Sequence, residues 1–204
     1  MESGYQGRNE SETCVGLCHS VRVIRNPGRR HLQTTRLIGL DPGLRFTGWG
    51  IVDQRGNRLS WVADGAIASN AKDDLATRLR QLHDGIQQVI ADWQPDIAAV
   101  EETFVNKNPV STLKLGQARG VSLLVAALNG LPVTEYAPNA IKKAVVGTGH
   151  AAKEQIHLMV KTLLPGAVIA NEHAADALAA AICLAHNEGG RRGALLRKAG
   201  VVGA

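Results

Sequence analysis

An α/β fold with a mixed five-stranded sheet flanked by helices is predicted by three features of the chain. Hydrophobic spacing switches from strand-like to helical and back, in the order βββαβαβααα. The first three strands are separated only by short turns, which makes them an antiparallel meander. The fourth strand is reached through a helix, and such a crossover within one sheet is right-handed and parallel. The segment 97–101 is therefore expected to lie parallel to the first strand and beside it.

The elements follow in order. Leu37-Ile38-Gly39-Leu40 is an apolar run closed by Asp41 and the turn pair Pro42-Gly43, so 36–41 is the first strand. Phe46 to Val52 forms the second, Gln54-Arg55-Gly56-Asn57 a hairpin turn, and Leu59 to about Ala68 the third. Leu75, Leu79, Leu82, Ile86, Val89, Ile90 and Trp93 recur at three- and four-residue steps, the stripe of an amphipathic helix that Gln94-Pro95-Asp96 stops. Ile97 to Val100 is a short buried strand ending in Glu101. The polar loop Asn106-Lys107-Asn108-Pro109 leads to a helix at about 111–129, and Val133 to Tyr136 makes the fifth strand. Pro138 opens a helix reaching Val146, a further helix covers about 152–164, and an alanine-rich helix covers about 173–187 until Gly189-Gly190. Residues 1–35 have no period and are expected to be a disordered extension or the product of a start codon chosen too far upstream; 36–188 form the folded domain, and 189–204 a basic, flexible tail.

Charge is unevenly spread. The whole chain has a formal net charge of +5, yet residues 36–188 hold 14 Lys/Arg against 15 Asp/Glu, so the excess lies in the two ends. Within the body, 36–106 is acidic and 107–188 mildly basic. That division fits a metal site beside a phosphate-binding surface, or two ordinary solvated faces. Three cysteines, two of them in the N-terminal segment, make no disulfide framework and point to a reducing compartment. Cys14, Cys18 and His19 lack a fourth ligand for zinc. No apolar run approaches the ~18 residues of a membrane span, and the N-terminus has no basic-then-apolar signal. A cytoplasmic protein without membrane contact is expected.

Two acids, Asp41 and Glu101, stand at the C-terminal tips of core strands, where open α/β sheets place their sites. The last helix opens Glu172-His173-Ala174-Ala175-Asp176, so His173 and Asp176 share a face, and its alanines allow close approach to a sheet. Asp41, Glu101, His173 and Asp176 are expected to converge. Clustered carboxylates repel unless a cation sits among them. Oxygen donors select Mg²⁺ or Mn²⁺, and a pair of ions can clamp a phosphodiester. Singly, Asp41 is also a turn acid, Asp176 a first-turn acid favoured by the helix dipole, and His173 a cap or packing residue.

Arg36 to Gly43, Val100-Glu101-Glu102-Thr103-Phe104, Lys114-Leu115-Gly116-Gln117-Ala118-Arg119-Gly120 and Ala174-Ala175-Asp176-Ala177-Leu178-Ala179 together resemble the RuvC family of Holliday-junction resolvases, in the family's order and spacing. The resemblance runs from about Arg36 to about Asn187 and implies a ribonuclease-H-like fold and a homodimer. It further implies Mg²⁺- or Mn²⁺-dependent nicking of two symmetry-related strands of a four-way DNA junction, leaving 5′-phosphates. It carries catalytic and metal-binding roles onto Asp41, Glu101 and Asp176, with His173 where the family has Asp or His. Lys142 and Lys153 match basic positions near the cut strand, and Phe104 an aromatic that wedges or stacks at the junction; taken singly, Phe104 is also a core residue. Lys107, Lys114, Arg119 and Lys143 are looser phosphate candidates. The branch-migration complex RuvA–RuvB is the partner this implies.

A four-way junction has near two-fold symmetry, and an isologous dimer supplies two sites in fixed relation. In the helix at 111–129, Gly116 and Gly120 form a small-residue groove among Leu113, Leu123, Leu124 and Leu128; it either pairs two copies or covers its own sheet. Two other functions remain open: a related nuclease acting on structured RNA, and a junction-binding protein that does not cleave. An actin-like ATPase needs two such halves, and the chain holds one.

Overall fold

The computed structural model describes residues 34–103 and 108–198, with side chains described as far as Asn187. The elements are β1 (Thr35–Asp41), β2 (Phe46–Arg55), β3 (Arg58–Ala68), α1 (Leu75–Trp93), β4 (Ile97–Glu101), α2 (Pro109–Leu128), β5 (Val133–Tyr136), α3 (Pro138–Val146), α4 (Lys153–Leu163) and α5 (Glu172–Lys198). The expectations for residues up to 33, for the Cys14/Cys18/His19 cluster, for Phe104 and Lys107, and for the tail beyond 198 lie outside the described residues.

The sheet order is β3-β2-β1-β4-β5. β1 pairs antiparallel with β2, and β2 with β3, as the short turns require. β1 pairs parallel with β4, with Leu40 opposite Val100, and β4 parallel with β5. The sheet is thus mixed and five-stranded.

Side chains alternate across a strand, and that alternation divides the core. Ile38, Leu40, Ala98 and Val100 face one way and pack with Ile86, Val89 and Ile90 of α1 and Val125 and Ala126 of α2. Leu37, Val52 and Ala99 face the other way, toward Leu178 and Ile182 of α5, Ile141 and Val145 of α3, and Ile156 and Val160 of α4. Leu178, Ile182 and Leu184 are completely buried, each worth about 1.5–3 kcal/mol of transfer free energy. The same alternation puts Asp41, two residues after Gly39, and Glu101, two after Ala99, on the α5 side.

α5 lies against the sheet at backbone distance. A Cβ on Gly39 would stand 2.0 Å from the Ala177 carbonyl oxygen, and one on Gly48 would stand 2.1 Å from that of His173. Glycines on β1 and β2 allow this approach: Gly39 meets Ala177 and Ala181, Gly48 meets His173, and Gly50 meets Leu178.

Two helix ends differ from the sequence pattern. α2 starts at Pro109, because Asn108 caps it through Val110 N and Ser111 N and proline suits the first turn. α5 continues through Gly189-Gly190 to Lys198. Two glycines cost a helix about 1 kcal/mol each, and the flanking run Arg191-Arg192-Gly193-Ala194-Leu195-Leu196-Arg197-Lys198 is rich in helix formers. No helix among the described residues is long and apolar enough to cross a membrane.

Candidate active site

Strand register fixes the first two acids. Asp41 ends β1 and Glu101 ends the adjacent parallel β4, so both carboxyls emerge at one sheet edge on one face. The turn after Asp41 is pinned from both sides. Thr47 Oγ1 donates to the Gly43 carbonyl at 2.9 Å, while Ser69 Oγ and Arg78 (Nη2, 3.3 Å) both donate to the Leu44 carbonyl. After Glu101, the Glu102 amide donates to the Tyr136 carbonyl at 2.9 Å.

The third acid comes from α5. Asn171 caps that helix, its side chain accepting from Ala174 N at 3.0 Å, so capping is not the role of His173. Asp176, one turn on, lines a cavity of about 310 Å³ together with Asp41, Glu101, Lys142, Lys153 and the apolar Ile141 and Ile156. His173 is not part of that wall. Its Nδ1 stands 3.8 Å from Asp41 Oδ2, near enough for attraction when charged but too long for a hydrogen bond. The ring is stacked on Phe46 at 5.3 Å.

Burial pushes the Asp41 carboxyl up to about 6; the Asp176 charge adds to this, while His173 and Lys153 oppose it. Burial likewise pushes Glu101 up to about 8, reinforced by Asp41 and Asp176 and opposed by Lys142 and Lys153. Two half-enclosed carboxyls thus resist being charged together, the signature of a site short of positive charge.

Asp176 already takes a cation. Lys153 Nζ lies 3.1 Å from its Oδ2 and 3.0 Å from Glu172 Oε2, and His157 Nε2 lies 3.1 Å from its Oδ1. Among the described residues, no three acidic, histidine or cysteine side chains are drawn into one ligand shell. The four expected residues do not form such a group in this arrangement, and both Asp176 oxygens face donors on α4. The donor chemistry nonetheless fits a hard divalent ion: three carboxylates on one cavity, with an ammonium attracted to one of them.

Of the other expected contact residues, Lys142 and Lys153 stand in the cavity wall, and Lys114 and Lys143 are exposed. Arg119 is ion-paired to Glu135 of β5, so its charge is largely committed within the fold. His157 was not anticipated. The available signal is its place four residues after Lys153, on the same face of α4.

These shifts set a pH dependence. A carboxyl whose pKa is higher folded than unfolded contributes stability that is present below its unfolded value and lost as pH rises through its folded value. In chelator, the melting temperature should therefore fall between pH 5 and pH 8.5, through about 6 for Asp41 and about 8 for Glu101. Thermal unfolding of the Asp41→Asn, Glu101→Gln double variant should lack most of that slope. An equal slope in both proteins would contradict the electrostatics given above.

The family profile described as "Crossover junction endodeoxyribonuclease RuvC" matches residues 37–184. A protein of that name from Paramagnetospirillum magneticum is 68% identical over 154 residues, covering 76% of this chain and 93% of the relative. Another, from Rhizobium etli, is 61% identical over 160 residues, covering 78% and 95%. Among solved structures, Thermus thermophilus RuvC in complex with Holliday junction substrate superposes with a TM-score of 0.72 at 31% identity, covering 77% of this chain and 96% of that one.

Proposed function

The chain belongs to the RuvC family of crossover junction endodeoxyribonucleases, and from that premise we propose that the cavity walled by Asp41, Glu101 and Asp176 is its cutting centre. The enzyme is a divalent-metal-dependent nuclease that resolves four-way DNA junctions in recombination and repair. The observation that carries the site assignment is the convergence of three carboxylates, from β1, β4 and α5, on one cavity that also holds two lysines.

Asp41 and Glu101 would hold the metal, with Asp176 completing the set and His173 beside Asp41 as a further donor. Mg²⁺ is the ion we favour, with Mn²⁺ as substitute, and two ions per site would clamp a phosphodiester from both sides. A divalent ion held by these carboxylates would supply a more acidic water and offset the charge that grows on the phosphate. The water oxygen bonds to phosphorus as the bond to the 3′-oxygen breaks, leaving a 5′-phosphate and a 3′-hydroxyl.

The chain's own residues do the positioning. Asp41 and Glu101 are spaced by strand register, so DNA binding need not create their geometry. Lys142 and Lys153 give a phosphate a reason to enter a cavity that carboxylates alone would repel. Lys114 and Lys143 extend that positive surface. Phe104 and Lys107 follow Glu101 closely in the chain and are retained as junction contacts, Phe104 by stacking on a base. Arg119 ranks below these because Glu135 holds it.

Paired nicks need paired sites, and α2 offers the surface for a two-fold dimer. Leu113, Leu124 and Leu128 are 68%, 55% and 69% exposed, and nothing lies within 4 Å of where Gly116 or Gly120 would carry a side chain. These positions recur at three- and four-residue steps and form one apolar stripe. A Leu113→Glu, Leu124→Glu variant should sediment as a monomer and lose paired cutting; a variant that stays dimeric would move the interface elsewhere. RuvA–RuvB is kept as the partner assembly that the resemblance implies, and the odd cysteine count supports the cytoplasm.

The direct test is a synthetic mobile four-way junction beside an RNA hairpin, each with Mg²⁺ and with Mn²⁺. Symmetric paired nicks bearing 5′-phosphates on the junction are expected. Cutting confined to the RNA, or binding without nicks, would overturn the proposal.

A further inference from the structure

We infer that His157 is a positioning residue for Asp176, holding one carboxylate oxygen in place while the other is exchanged between Lys153 and a divalent cation. This rests on the assignment of Asp176 to the cutting centre.

α4 approaches the start of α5 with two donors one turn apart. Lys153 reaches Asp176 Oδ2 at 3.1 Å and His157 Nε2 reaches Oδ1 at 3.1 Å, so both oxygens are engaged. Each oxygen keeps a second lone pair, but a cation arriving there crowds the donor already bound. Lys153 is the donor that leaves, for two reasons. Its ammonium would repel an arriving cation, and it already has a second acceptor, Glu172 Oε2 at 3.0 Å. His157 stays, because an imidazole with its proton on Nε2 donates whether or not the ring is charged.

The side chains of His157 and Asp176 are 27% and 23% exposed. Their hydrogen bond is thus shielded enough to fix the carboxylate, while Lys153, 48% exposed, can swing outward toward a phosphate. His157 itself is anchored by the helix turn that buries Ile156 and Val160 against the core. Partners of ligating carboxylates orient the donor atom, and losing one typically weakens metal affinity about 10–100-fold.

The experiment is calorimetric titration of the DNA-free protein with Mn²⁺ alone, on wild type, His157→Ala and His157→Gln, with melting curves in chelator alongside. His157→Ala should weaken Mn²⁺ binding at least about 10-fold with little change in melting temperature. His157→Gln, whose amide can donate to the same oxygen, should recover most of the affinity. Nicking by His157→Ala should recover when Mn²⁺ is raised, since only occupancy is impaired. Unchanged Mn²⁺ affinity in His157→Ala, with normal wild-type binding, overturns this inference alone. So does a loss that tracks a lowered melting temperature and is not recovered by His157→Gln. A wild type that binds no Mn²⁺ overturns the cutting-centre assignment and this inference with it.

Discussion

Asp41→Asn is expected to abolish junction nicking while leaving junction binding intact. The substitution keeps the shape of the side chain and its place at the end of β1. It removes one charge from a cavity where burial and Asp176 already push the Asp41 carboxyl up to about 6. A metal site supplies several kcal/mol of charge stabilisation to phosphoryl chemistry, and each 1.36 kcal/mol is tenfold in rate. The nicking rate should thus fall on the order of 10³-fold or more. Binding depends on a different set of groups, the lysines in and around the cavity, and loses nothing from a weaker negative charge beside them. Electrophoretic mobility shift and strand-nicking assays on one junction separate the two effects. Parallel loss of both would mean that Asp41 shapes the fold rather than the chemistry, and full cleavage would remove it from the site.

Gly39→Val is expected to be the most damaging substitution to the fold. Even one methyl at this position would meet backbone, with the Ala177 carbonyl oxygen at 2.0 Å and the Ala181 nitrogen at 2.7 Å. Neither atom can turn aside as a flexible side chain would. α5 must then lift from the sheet, exposing Leu178 and Ile182, both now fully buried. Overpacking typically costs about 1–3 kcal/mol and occasionally more, and losing contacts along α5 adds to it, so a loss on the order of 3 kcal/mol or more is predicted. Chemical denaturation measures this directly. Because α5 also carries His173 and Asp176, any folded fraction should nick poorly even at high Mg²⁺. A Gly39→Val protein with wild-type stability would contradict the close packing described for α5.

Much of this was readable from residue order. Period-two and period-3.6 patterns place every strand and helix, and the βαβ rule alone sets β1 beside β4. Two-residue alternation from Gly39 to Asp41 and from Ala99 to Glu101 is enough to bring both acids to one face. The alanines after His173 announce the close helix that brings Asp176 to them. What escaped was pairing between side chains on distant elements. Arg119 binds Glu135 across α2 and β5, and His157 binds Asp176 across α4 and α5, with no local pattern linking the partners. The end of α5 escaped for another reason: Gly189-Gly190 is a sound local stop signal, and the helix-forming residues beyond it outweigh that signal.

The most direct test of the cutting centre is anomalous scattering from crystals of the active protein grown with Mn²⁺. Density for the ion is expected in the cavity, within ligating distance of carboxylate oxygens of both Asp41 and Glu101. Mn²⁺ bound only elsewhere, in a protein that still nicks four-way junctions, would contradict the assignment.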